Sequence, residues 1–324
     1  MAERIAILGG GLMGHGIAQV FACAGHEVRI TDPVAEARAK ILARIEANLG
    51  GPGHDGGALA RIAVLDTLQA CVAGADLVIE AVPENLELKQ EIFADVERAA
   101  PPAAILASNT SVIPISLIMS KVTNKTRALG THWWNPPYLV PLVEVIRTSE
   151  SSDEAITATI DLLRRVGKSP VEVKKDVPGF VGNRLQHALW REAIALIADG
   201  VCDAKTVDDV VKSSFGARLA VLGPIENADL VGLDLTRAIH GYVLPALDRA
   251  TEPSPYLDRL IAEGRLGFKS NRGFREWPPE AQAALRTKVA NHLKASFRST
   301  DGEDRKSTRL NSSHKSVSRM PSSA

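Results

Sequence analysis

The chain of 324 residues is long enough for two cores, because a single hydrophobic core stops growing at about 250–300 residues. Its 45% hydrophobic and 23% charged content reads as soluble and globular, which excludes a disordered or membrane-embedded polypeptide. Lys plus Arg and Asp plus Glu number 38 each, so no global field points to nucleic acid or an anionic membrane, and any anion site has to be local.

In chain order, short β-rich runs alternate with helical patterns through the first half. Strands are predicted at Arg4–Leu8, Val28–Thr31, Leu77–Ile79, Ile105–Ala107, Ala128–Gly130 and Val143–Arg147. Between them, helical spacing covers Met13–Ala24, Ala35–Leu49 and Leu86–Ala99, the last stopped by Pro101 and Pro102, which lack the amide a continuing helix needs. Gly50–Gly57 reads as a loop. Such alternation predicts an α/β fold with a Rossmann-type, doubly wound parallel sheet. A helix at Asp153–Val166 and a strand at Ser169–Val173 follow, then Pro178-Gly179 breaks the chain before a long helix, Phe180–Ala198.

Beyond that point strand signals stop. Ala204–Ser214, Asp234–Arg249, Tyr256–Glu263 and Pro279–Phe297 all carry helical patterns, so an all-α C-terminal domain is expected. The reading is residues 1–185 for the first domain and 186–302 for the second. Residues 303–324, rich in Ser and basic side chains without periodicity, resemble a translated sequencing adapter and are expected to lie outside the fold. Without them the chain carries a net charge of −3. Cys23, Cys71 and Cys202 are scattered and odd in number, which favours a reducing, cytoplasmic setting. The start of the chain shows neither a signal-peptide pattern nor a membrane span.

Gly9, Gly11 and Gly14 form G-x-G-x-x-G directly after a strand and at a helix start, with Leu12 and Met13 inside the turn. The first glycine permits the tight turn, the second lets a pyrophosphate approach the backbone, and the third lets the helix pack on the strand. A helix N-terminus then offers amides and partial positive charge to phosphates. Asp32, at the end of the second strand, is placed to accept ribose hydroxyls. Pro33 follows, with no arginine to neutralise a 2′-phosphate, so NAD is expected over NADP. His15, within the fingerprint, is expected at the cofactor rim or in solvent.

Alcohol oxidation needs a base on the hydroxyl proton while hydride leaves the same carbon. Histidine suits this, and a carboxylate on its other nitrogen fixes the tautomer. His132 and Glu144 form such a pair only if the chain turns at Pro136-Pro137 and returns along the next strand. Trp133 and Trp134 read as packing walls. No His, Cys, Asp or Glu grouping has metal-ligand spacing, so no metal is expected.

Together, Gly9–Gly14, Glu80-Ala-Val-Pro-Glu84-Asn-Leu-Glu-Leu-Lys89, Ser108-Asn-Thr-Ser111, His132-Trp-Trp-Asn135-Pro, Pro178-Gly-Phe-Val-Gly-Asn183-Arg and the run from Gly223 to Asp234 resemble the 3-hydroxyacyl-CoA dehydrogenase family over residues 1–277. The resemblance implies a Rossmann-type domain, a helical domain that forms a homodimer, and NAD-dependent conversion of L-3-hydroxyacyl-CoA to 3-oxoacyl-CoA. It implies His132 as base, Glu144 as its partner, and Ser111 and Asn183 on the reacting oxygen or its neighbours. Glu84, Lys89 and Asn135 would lie on the cofactor side, with Lys269 reaching towards the nicotinamide half. Family members that bind CoA often carry a longer, lysine-rich helical pair after the second strand. Here Ala35–Arg61 offers Arg38, Lys40, Arg44 and Arg61. A free 3-hydroxy acid such as gulonate or carnitine therefore stands as an alternative substrate, and a non-catalytic NAD-binding protein as a third reading.

Overall fold

The computed structural model describes residues 2–51, 53–54 and 56–298. The expected tail at 303–324 lies outside the described residues. By its internal contacts the chain divides into two units, one holding Met1–Asn183 together with the stretch from Ala290, the other Arg184–Val289.

The first unit is built on one eight-stranded sheet: β1 Arg4–Leu8, β2 Glu27–Thr31, β3 Ile62–Leu65, β4 Leu77–Glu80, β5 Ile105–Ser108, β6 Ala128–Trp133, β7 Leu142–Ile146 and β8 Ser169–Val173. The order is β3-β2-β1-β4-β5-β6-β7-β8. Neighbours run parallel except β6 and β7, which are antiparallel. The central strands are apolar on both faces because both are covered. In β1, Ile5 and Ile7 join one core cluster, while Ala6 and Leu8 join the other. The first cluster packs under the helices Gly14–Cys23, Ile41–Leu49 and Asp153–Arg165, and the second under Leu68–Val72, Leu86–Ala99 and Ile115–Ile118.

The single helix expected over Ala35–Leu49 is two, Ala35–Ala39 and Ile41–Leu49, joined at Lys40. Ile41 explains the break: it is fully buried, and a Cβ on Gly10 would lie 2.5 Å from its Cδ1. Bending at Lys40 therefore drops an isoleucine onto the glycine turn, a burial contributing about 1.5–3 kcal/mol. Strand β3 and the helices Leu68–Val72 and Pro224–Val231 add to the expected elements.

The second unit is helical, with Ala204–Ser213, Pro224–Val231, Leu233–Val243 and Pro255–Ala262 as its main complete helices. The expected helix Asp234–Arg249 ends at Val243, and a 3-10 turn, Leu244–Ala246, follows it. Leu260 is its one fully covered large apolar side chain, whereas Ile225, Leu230 and Tyr242 are 74%, 72% and 88% exposed. No described helix is long and apolar enough to cross a membrane.

Candidate active site

Strand order reverses on either side of β1, and ligands of open α/β sheets bind beyond the carboxyl ends of strands at such a switch point. The glycine turn stands there. Gly9 has φ +103°, and a Cβ on it would meet the Ala81 carbonyl oxygen at 2.6 Å. A Cβ on Gly14 would lie 1.8 Å from the Gly9 carbonyl oxygen, so the helix and turn touch backbone to backbone. At Gly11 a Cβ would meet nothing within 4 Å. The three positions thus have the separate properties a dinucleotide turn requires: tight turn, close packing and open approach. The helix Gly14–Cys23 has no acidic residue in its first turn to compete for the amides. Leu12 is 66% exposed at the turn, and Met13 packs against the first core cluster.

Asp32 braces this turn. Its Oδ2 accepts from Gly10 N at 2.9 Å and its Oδ1 from Val34 N at 3.0 Å, which leaves acceptor capacity on both oxygens. These residues fit a dinucleotide with free ribose hydroxyls. Of the two places expected for His15, solvent is excluded: it is buried at the glycine turn, its Nδ1 lies 2.6 Å from the Gly11 carbonyl oxygen, and burial lowers its pKa despite that bond.

Antiparallel pairing of β6 with β7 puts His132 directly opposite Glu144. His132 Nδ1 and Glu144 Oε2 are 2.7 Å apart, and both side chains are buried. Glu144 Oε1 accepts from Val181 N at 2.9 Å and Gly182 N at 3.1 Å. Gly179 (φ +74°) and Phe180 (φ +50°) turn the chain so that these two amides face the carboxylate. A left-handed phenylalanine is uncommon and persists only where its surroundings fix it. Here the Phe180 ring is fully buried, 5.7 Å from the imidazole centroid. Trp134 stands 5.2 Å from the imidazole and against Gly182, while Trp133 packs edge-on to Phe21 at 5.8 Å. Burial alone would raise the pKa of Glu144. The His132 bond and the two amides outweigh it and hold the carboxylate below its ordinary range.

A second buried cluster lies where β4 and β5 end. Lys89 is fully buried, with Nζ 2.7 Å from Glu80 Oε1, 3.3 Å from the Val82 carbonyl oxygen and 3.4 Å from Glu84 Oε2. Ser108 Oγ donates to Glu80 Oε2 at 2.6 Å. Glu84 Oε1 accepts from Thr110 Oγ1, Ser111 N and Val112 N. Burial would raise the pKa of Glu84, but these donors and Lys89 together lower it. Glu84 and Lys89, expected on the cofactor side, also brace the 80–84 and 108–112 segments through these bonds. Glu80 and Ser108 begin two of the motifs that carry the family resemblance, but the sequence does not single them out. Their role would have been suggested by a carboxylate ending a strand that is apolar on both faces.

Ser111 and Asn183 meet through the backbone: Asn183 Nδ2 donates to the Ser111 carbonyl oxygen at 2.8 Å. Asn183 is buried and adjoins Gly182, so the Ser111 segment is joined to the amides that hold Glu144. Asn135 precedes a cis peptide bond to Pro136 and is exposed. Asn109, not singled out from sequence, accepts from Trp133 N at 3.0 Å and fastens the end of β6. Lys269 sits in the 3-10 turn Phe268–Ser270 of the second unit.

The chain is similar to known proteins in both sequence and fold. Residues 4–177 match the NAD binding domain of 3-hydroxyacyl-CoA dehydrogenase, and residues 179–277 match its C-terminal domain. The 5-formyl-3-hydroxy-2-methylpyridine 4-carboxylate 5-dehydrogenase of Mesorhizobium japonicum is 35% identical over 94% of this chain and 100% of its own length. A probable 3-hydroxybutyryl-CoA dehydrogenase of Bacillus subtilis is 37% identical over 85% and 97%. A crystal structure of the pyridine carboxylic acid dehydrogenase, described as an NAD⁺-dependent dismutase, superposes with a TM-score of 0.86 at 32% identity, covering 93% of this chain and 99% of that one. Matches to both domains of one enzyme, with relatives 35% and 37% identical over most of the chain, lead to one assignment: the chain belongs to the 3-hydroxyacyl-CoA dehydrogenase family and is an NAD-dependent oxidoreductase of that type, acting on a CH–OH group.

Proposed function

We propose that the protein oxidises a 3-hydroxyl to a carbonyl with His132 as the general base and Glu144 as its orienting partner. The observation that carries this reading is the buried 2.7 Å pair whose carboxylate is also tied to two backbone amides. With Nδ1–H donating a hydrogen bond to Glu144, the imidazole keeps a lone pair on Nε2 to take the hydroxyl proton. Glu144 stays ionised and stabilises the imidazolium that results. NAD, when bound, supplies the hydride acceptor. Gly9, Gly11, Leu12, Met13, Gly14 and Asp32 would hold it, with Asn135 on the nicotinamide side and Glu84 and Lys89 on the cofactor side, where they shape the neighbouring turns. Ser111, held by Glu84 and Asn183, is the hydroxyl assigned to the reacting oxygen. Substitution of His132 by Asn is expected to lower the rate by about 10²–10⁴, and full turnover would end the assignment.

L-3-Hydroxyacyl-CoA is the substrate that the family implies. A second reading, a free hydroxy or aldehyde acid, is favoured by the cations of residues 35–61. Arg38 is paired with Asp66 and bonds the Asp32 carbonyl, Arg44 bonds the Gly10 carbonyl, and Arg61 bonds the Ala22 carbonyl. Each guanidinium spends one or more of its five donors on the protein, and with Lys40 the stretch carries four Lys and Arg side chains, few for the phosphates of CoA. The near full-length likeness to an enzyme named for a pyridine carboxylate points the same way. Oxidation of 3-hydroxybutyryl-CoA and free 3-hydroxybutyrate, followed by NADH absorbance in parallel, separates the two.

The exposed apolar side chains of the second unit support a homodimer, since a lone helical domain rarely leaves so much apolar surface in water. Sedimentation showing only monomer at micromolar concentration would count against it. The cytoplasmic assignment rests on the scattered cysteines.

A further inference from the structure

The connection from β6 to β7 is held by a half-buried lysine that has no acid beside it among the described residues. Lys168 follows Gly167, just before β8. Its Nζ donates to the carbonyl oxygens of Pro137 and, at 3.0 Å, Val140, and stands 5.5 Å from the Trp133 ring centroid. Among the described residues no carboxylate pairs with it, and burial pushes its pKa down to about 8. Keeping an ammonium under such conditions is unfavourable, so an apolar side chain would be the better filler if filling were its purpose. Methionine or leucine, however, cannot hold two carbonyls.

What those carbonyls belong to gives the lysine its role. Leu139 N and Val140 N both turn back to the Pro136 carbonyl at 3.0 Å, which closes that part of the loop on itself. The Pro137 and Val140 carbonyls are then left to be met from outside, and Lys168 meets both. The adjoining Ser169 N donates to the Pro141 carbonyl at 2.9 Å, so the same short stretch fastens the loop three times. On another side the loop rests on the cofactor helix, where a Cβ on Gly16 would lie 3.0 Å from Pro137 Cδ and 3.4 Å from Tyr138 Cδ1.

We propose that Lys168 is a positioning residue for the reaction: it clamps the Asn135–Pro141 connection against the cofactor helix and so fixes Asn135 and the His132–Trp133 end of β6 relative to the dinucleotide turn. This rests on the reading of His132 as the base.

The test uses full-length Lys168→Met and Lys168→Ala. In folded Lys168→Met, hydrogen exchange of the Tyr138, Leu139 and Val140 amides is expected to speed up at least tenfold, while β1 and β4 keep their protection. Turnover of 3-hydroxybutyryl-CoA or 3-hydroxybutyrate should fall at least tenfold in kcat, with NADH dissociation constants within threefold of the parent. Propylamine, compared with potassium chloride at equal ionic strength, should restore part of kcat in Lys168→Ala. Unchanged exchange in the loop, exchange raised throughout the sheet, or failure of both variants to fold would overturn the proposal. If His132→Asn keeps full turnover, the base assignment fails. An inactive His132→Asn beside a fully active Lys168→Met would remove the clamp alone.

Discussion

Replacing Glu144 by Gln keeps the shape of the side chain and removes one acceptor, which is enough to force a choice. The carboxylate serves three donors with two oxygens: His132 Nδ1 on Oε2, and the Val181 and Gly182 amides on Oε1. If the amide oxygen of Gln faces the imidazole, its NH₂ faces two part-buried N–H groups, each costing up to about 1–3 kcal/mol if left unpaired. If the oxygen faces the backbone, one bond is lost instead of two, so this is the arrangement the variant should adopt. The NH₂ then faces Nδ1, which has to present a lone pair, and the imidazole proton moves to Nε2. A base protonated at its working nitrogen cannot act as one. Even in the correct tautomer, losing a charged hydrogen bond worth about 1.5–3 kcal/mol slows a step through an imidazolium roughly 10–150-fold. The tautomer change extends the expected loss in kcat to about 10²–10⁴. Initial rates from NADH absorbance measure this, with far-UV circular dichroism to verify folding and NADH binding to verify the cofactor turn. A folded Glu144→Gln enzyme with kcat within about threefold of the parent would refute the reasoning.

Asp32→Ala should raise the NADP to NAD ratio of kcat/KM, because the carboxylate that meets the ribose is gone; an unchanged ratio would remove Asp32 from that role. Lys89→Met should cost about 3–5 kcal/mol in urea unfolding, since it strands the fully buried Glu80, and Glu80→Gln in the same chain should recover part of the loss. Acid should weaken the fold through Glu144. Because its folded-state pKa is depressed, its contribution is complete above the unfolded carboxylate value of about 4.3 and disappears as pH falls through the lower folded value. Melting temperature against pH should therefore drop more steeply below about pH 4.5 in the parent than in Glu144→Gln, and parallel acid limbs would contradict this.

Periodicity and glycine spacing exposed most of the sheet, because strands covered on both faces are continuously apolar and their boundaries carry Gly and Pro. β1, β8 and the helix Leu86–Ala99 begin and end where expected. β3 was missed since Ile62–Leu65 is a four-residue run on an edge, which pattern alone does not separate from a loop. The break at Lys40 was invisible because its cause, Ile41 covering Gly10, is a contact between distant segments. In the site, the conditional turn at Pro136-Pro137 was readable, and the opposition of His132 to Glu144 follows from strand register. The environment of Lys89 was not readable. A lysine on a helix gives no sign that its ammonium will meet a carboxylate from the end of β4.

The contacts that make up this region differ greatly in reach along the chain. His132 and Glu144 are twelve residues apart, joined by a short return between adjacent antiparallel strands, whereas Asn183 and Ser111 are separated by 72. Closing a longer segment costs more conformational entropy, though only logarithmically. During synthesis and folding the imidazole and its carboxylate can therefore come together as soon as one hairpin-like unit exists, before the chain that later encloses them has arrived. The chemical pair is a local product of the sequence, and its enclosure is a late one.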